Sequence, residues 1–82
     1  MDIKAIIDMI DTMCQDTTIS RNIRVILNEI KADLSKSNGE ELSINIDSAI
    51  QKIENISLDP NVSSYVRTQI WNSASMLESA LN

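Results

Sequence analysis

Apolar residues return along this chain every three or four positions, in four separate stripes. Ile3, Ile6, Ile7, Ile10 and Met13/Cys14 recur at the spacing that lines one face of a helix, which predicts a first helix over about 2–15. Asp16, Thr17 and Thr18 then interrupt the pattern with short polar side chains that compete for backbone hydrogen bonds. Ser20 is placed to cap a second helix, whose stripe is Ile23, Ile26, Leu27, Ile30 and Leu34. Residues 35–39 predict a loop: Lys36 suits a helix C-terminus, and Asn38-Gly39 supplies residues that tolerate left-handed backbone. Glu40 and Glu41 favour the positive end of a third helix, carried on Leu42, Ile46, Ala49, Ile50, Ile53 and Ile56. Asp59-Pro60-Asn61 stops it, because proline cannot continue the hydrogen-bond ladder. A fourth helix follows over about 63–80, on Val66, Ile70, Ala74 and Leu77, with Leu81 beyond.

The second half of the pattern repeats the first. Residues 3–34 laid on 46–77, a shift of 43, match at Ile3/Ile46, Ile7/Ile50, Ile10/Ile53, Asp16/Asp59, Ser20/Ser63, Arg24/Arg67 and Leu34/Leu77. The Ile identities follow from a shared helical period in an Ile-rich chain. The Asp, Ser and Arg identities do not, and they carry the argument for a duplicated hairpin. Short connections force neighbouring helices antiparallel, and a period in the forties with two helices per unit falls in the HEAT range. An open solenoid generally needs three or more such units to cover its apolar faces. Two hairpins should instead close on each other. The expectation is therefore all-α: an antiparallel four-helix bundle of two HEAT-like helical hairpins, about 2–36 and about 41–81, in one domain over 1–82.

Composition agrees and narrows the chemistry. One Gly, one Pro and two aromatics in 82 residues argue for a few long helices over many short strands. No apolar run approaches the roughly 20 residues of a membrane span, and acid interrupts the apolar residues at Asp2, Asp8 and Asp11, so no signal peptide is read. Cys14 stands alone, which fits a reducing compartment and a packed, inert thiol. A cytoplasmic location is expected. The net charge of −5 opposes nucleic-acid binding, for which a basic stripe is the usual footprint.

No candidate catalytic site emerges. There is no His to act as acid, base or metal ligand, no base partner for a Ser or Cys nucleophile, and no Gly-rich phosphate loop. Asp8, Asp11, Asp47 and Glu54 read as a solvated face, so neither metal nor cofactor is expected. The duplicated pairs Asp16/Arg24 and Asp59/Arg67 read as turn residues: the carboxylate accepts N–H groups at the helix start, and the Arg pairs with it or with the other copy's Asp. Tyr65 and Trp71 break the symmetry, since they match Asn22 and Asn28. With Arg67, and Met76 as a companion, they are the candidate interaction surface, because aromatics and Arg dominate interface energetics.

Asp16-Thr17-Thr18 before Ser20-Arg21-Asn22-Ile23-Arg24, and Asp59-Pro60-Asn61 before Arg67-Thr68 and Ile70-Trp71, resemble uncharacterised protein family UPF0147, small archaeal proteins of about this length. Members usually carry Pro where this chain has Ser20 and Ser63. Both departures fall at a helix start, where Ser also works. The resemblance implies an all-α four-helix bundle in an archaeal cytoplasm, and it brings no established activity. It leaves Asp59, Asn61, Arg67 and Trp71 as the motif residues to watch. The leading expectation is a non-catalytic helical interaction module with a protein partner, a second copy of itself included. The alternative is a nucleic-acid or ribonucleoprotein accessory using Arg21, Arg24 and Arg67.

Overall fold

The computed structural model describes residues 3–81, and all of its regular structure is helical: α1 (Ile3–Cys14), α2 (Arg21–Lys36), α3 (Glu40–Ser57) and α4 (Ser64–Leu81). The expected first residue of α1, residue 2, and the two ends of the 1–82 unit lie outside the described residues. The helix ends otherwise fall within a residue or two of the expected ones.

Each end has a local cause. Ser20 caps α2, its Oγ accepting the Ile23 N–H at 3.4 Å, and Lys36 sits in the last turn. Ser63 acts likewise ahead of α4, accepting the Val66 N–H at 3.2 Å. Between α2 and α3 the chain reverses within three residues, and Gly39 alone takes a positive φ (60°, with ψ −134°); Asn38 does not. Asn45 on α3 reaches back to donate to Ser37 Oγ, tying the second connection to the helix after it.

The four helices form a closed ring. α1 packs on α2, α2 on α3, α3 on α4, and α4 on α1, while diagonal helices do not approach. This is an antiparallel four-helix bundle, 35 × 19 × 17 Å. The stripes face inward: Ile10, Leu27, Ile53, Ile70 and Leu77 are completely buried, and the core is almost wholly aliphatic. Burying one such side chain contributes about 1.5–3 kcal/mol relative to exposure, so this interior supplies the main drive to fold. Ile19 and Val62, in the two tight turns, are also buried and plug the bundle end where those turns meet.

The seams are unequal. α3–α4 is the most extensive, α1–α2 next, and α1–α4 the thinnest. α1–α4 is also the seam that no connection crosses, since it joins the first helix to the last.

Candidate functional site

Among the described residues two ionic ties link neighbouring helices: Lys31 Nζ to Asp11 Oδ1 at 2.7 Å between α2 and α1, and Lys52 Nζ to Asp33 Oδ2 at 3.6 Å between α3 and α2. Asp11 therefore braces a helix pair, a role beyond the solvated face expected for it.

The duplicated turns are built alike. Asp16 accepts the Thr18 N–H at 2.9 Å and the Thr18 hydroxyl at 2.6 Å; Asp59 accepts the Asn61 N–H at 2.9 Å. The two Thr18 bonds hold the Asp16 carboxyl below its ordinary range, with a smaller pull from the charge of Arg24. The arginines differ from expectation and from each other. Neither lies within ion-pair distance of either Asp. Arg67 instead donates to carbonyls: Nε to Ser57 O at 3.0 Å, and one terminal nitrogen to Asp59 O at 3.3 Å and Val62 O at 3.4 Å. The last carbonyls of α3 carry the negative end of its dipole and lack intrahelical donors, so they compete well for a guanidinium. The Asp59 carboxylate is meanwhile turned to its own loop. Arg24, the matching residue, has a buried Nε with no partner.

The grooves between helices repeat the same symmetry. A groove of about 350 Å³ runs along α1–α4 and one of about 280 Å³ along α2–α3. Shifted by 43, their walls correspond as Met9/Lys52, Thr12/Asn55, Met13/Ile56 and Asp16/Asp59 on one side. On the other they correspond as Tyr65/Asn22, Val66/Ile23 and Gln69/Ile26. A small hollow of about 90 Å³ at the bundle end is lined by true pairs: Thr18/Asn61, Ile19/Val62, Ser20/Ser63 and Ile23/Val66.

Where the walls differ, α1–α4 is the unusual one. Tyr65 stands at its lip, 68% exposed. Beyond it Ser73, fully buried, donates its hydroxyl to Gln69 O at 3.0 Å, with Met9 Sδ at 3.1 Å. Ser73 occupies the position that is Ile30 in the first hairpin. Aligning the repeats would have exposed that exchange; nothing in the sequence marked Met9 or Asp8 as groove residues.

Of the candidate surface residues, Tyr65 borders α1 while Arg67 reaches toward the end of α3. Trp71, 55% exposed, is one turn beyond Arg67 on the same face. Tyr65 and Trp71 are six residues apart, about 120° around the helix by the shorter way, with exposed Thr68 and Asn72 on the arc between them. Met76 packs against the core instead. Arg21 is exposed, Arg24 half-buried and Arg67 engaged with carbonyls, so the three cations make no basic stripe and the nucleic-acid alternative gains no support. Cys14 is half-buried, and burial pushes its thiol above the ordinary value. Among the described residues no group of three His, Cys, Asp or Glu could hold a metal ion, and no helix is long and apolar enough to cross a membrane.

These features define a small all-α bundle with matched turns and unmatched grooves, and nothing in it suggests catalysis. Residues 1–80 match the model of the uncharacterised protein family UPF0147, and the chain belongs to that family. A UPF0147 protein of Archaeoglobus fulgidus is 40% identical over 76 residues, covering 93% of this chain and 85% of its own length. UPF0147 protein MJ1419 of Methanocaldococcus jannaschii is 40% identical over 76 residues, with 93% and 81% covered. The crystal structure of unknown function protein MMP1188 superposes with a TM-score of 0.84 at 39% identity, over 94% of this chain and 86% of that one.

Proposed function

We propose that this protein is a non-catalytic interaction module that engages a protein partner across the outer face of α4. One observation carries the reading: both aromatic residues of the chain lie on α4, and both are more than half exposed. The core is complete without them. An aromatic ring offers some 150–250 Å² of surface to bury, and Tyr, Trp and Arg are the residues that concentrate binding energy at interfaces. Tyr65 and Trp71 bracket the polar arc of Thr68 and Asn72, with Arg67 at its edge, which is the apolar-and-polar mix of a protein contact. A cytoplasmic location goes with the reading, supported by the lone Cys14, whose burial favours the protonated thiol.

The test is affinity capture from native cells with mass spectrometry of what is retained. Tyr65→Ala and Trp71→Ala are expected to keep the helical circular dichroism and melting temperature while losing the captured protein. Capture undiminished by both substitutions would refute the reading. Sedimentation over a range of concentrations identifies the partner as a second copy if the mass rises and Trp71→Ala abolishes the rise.

A further inference from the structure

We infer that the α1–α4 groove receives a cationic amphipathic helix of the partner, resting on the interaction reading above and adding what the partner must carry. The groove has an apolar floor of Met9, Met13 and Val66, an exposed aromatic lip in Tyr65, and two carboxylates, Asp8 and Asp16, in its walls. No cation lines it. Lys4 lies one turn before Asp8 and forms no ion pair with it, and Arg24 acts on Asp16 from α2 without reaching it.

The twin groove shows what is missing. Along α2–α3 the acids Glu29 and Asp59 share their walls with an ammonium of the chain's own, Lys52, which stands where α1 has Met9. There an ammonium held to Asp33 at 3.6 Å places a positive charge in the groove without pairing either acid; at the matching place along α1–α4 the chain has an apolar side chain. Dimensions select the shape of the occupant. Asp8 lies within α1 and Asp16 two residues past its end, which suits basic side chains about two turns apart on a docked helix, with the apolar face between them on the methionines. Met-rich surfaces adapt to such faces. Phosphate-bearing partners are repelled by the same two carboxylates.

A second copy cannot supply this helix. Lys31 and Lys52 are held in ion pairs and Arg67 is spent on carbonyls. Arg24 is half-buried with its Nε inside the protein, Arg21 and Lys36 sit at opposite ends of α2, and Lys4 lies on another helix, so the described residues present no continuous row of free cations along one helix. The net charge of −5 draws a basic partner from a distance.

The probe is an acetylated, amidated 14-residue helical peptide of Leu and Lys, with its isomer carrying Glu for Lys as the control. Binding is read by fluorescence anisotropy and by amide chemical-shift mapping of the protein. Saturable shifts are expected at Met9, Thr12, Met13 and Gln69, with the Glu isomer inert. Asp8→Asn should weaken binding about two- to fivefold, the range of an exposed charge pair, and the Asp8→Asn/Asp16→Asn double variant further. Asp16→Asn retains an oxygen for the Thr18 N–H, and the Asp8 carboxylate makes no hydrogen bond within the described residues, so both variants should fold. Glu78→Gln, the same charge change elsewhere on α4, should leave binding unaltered. Shifts centred on Lys52 and Asn55, equal loss from Glu78→Gln, or equal binding of the Glu isomer would each overturn the inference. Because the peptide experiment does not use the native partner, its failure leaves the α4 reading to stand or fall on capture by Tyr65 and Trp71.

Discussion

The matched arginines offer a direct test of how differently the two hairpins use equivalent positions. Arg67→Met and Arg24→Met make the same chemical change at equivalent positions, and Met keeps most of the aliphatic stem that packs under the guanidinium. Arg67 would lose one well-formed bond to Ser57 O and two longer ones to Asp59 O and Val62 O. A hydrogen bond from a charged donor contributes about 1.5–3 kcal/mol; the longer pair adds less, and water replaces part of the loss at a half-buried site. The expected cost is about 2–3 kcal/mol, which for a domain of this size lowers the melting temperature by roughly 10–20 °C. Arg24→Met removes a buried Nε that has no partner. Leaving such a donor buried costs about 1–3 kcal/mol, so its removal should be neutral or stabilising by about 1 kcal/mol. Urea and thermal unfolding followed at the helical dichroism band measure both, with an unchanged urea slope showing that the unfolded state is not the cause. Equal destabilisation by the two substitutions would refute the reasoning, because it would mean that Arg24 is as well satisfied as Arg67.

Leu27→Ala empties the centre of a fully buried site and should cost about 2–5 kcal/mol, against a total of only about 4–12 kcal/mol for a chain of this length; equilibrium unfolding checks it, and a loss under 1 kcal/mol would contradict the packing. Gly39→Ala meets no neighbouring atom but must adopt φ 60° with ψ −134°, so a loss of about 1–3 kcal/mol should come from backbone strain alone; an unchanged melting temperature would show that the loop refolds around alanine. Asp16 has a folded pKa below its ordinary 3.8, so its contribution is present above that value and is lost as pH falls through the lower folded one. Stability measured from pH 5 downward should decline less steeply in Asp16→Ala than in the parent, and parallel acid limbs would remove the carboxylate from the account.

Most of the fold was written in the apolar spacing. Four stripes with punctuation at Asp16-Thr17-Thr18, Asn38-Gly39 and Asp59-Pro60-Asn61 located four helices, because a 3.6-residue period and a broken hydrogen-bond ladder are local properties. The acceptors of Arg67 were not legible. A guanidinium chooses between a carboxylate and helix-end carbonyls by distance and orientation, which only the packed structure supplies. Nor could periodicity reveal that Met9 and Asp8 border Tyr65, since that adjacency depends on α4 closing the ring against α1. The exchange of Ile30 for Ser73 lay open in the repeat, yet its meaning, a buried hydroxyl beside a thioether sulfur, needed the neighbouring helix.

The differences at Met9, Tyr65 and Ser73 fall together on one seam. The α2–α3 seam is tied by a three-residue connection and by the Lys52–Asp33 ion pair, so its groove is constrained on both sides. The α1–α4 seam has no covalent crossing and is the least extensively packed of the four. Its buried Ser73 forgoes the apolar burial that Ile30 provides, roughly 1–2 kcal/mol in so small a domain, and Met9 fills the gap with the most adaptable of apolar side chains. A folding-optimised repeat would carry Ile at both positions. Departures from local consistency that cost stability without repaying it in packing are the expected marks of a binding site. Here Met9 lines the same groove as the exposed Tyr65 and Asp8, and Ser73 lies buried against Met9. Selection for folding alone accounts for the matched turns; a seam left weaker, softer and more acidic than its twin is what the proposed ligand would account for.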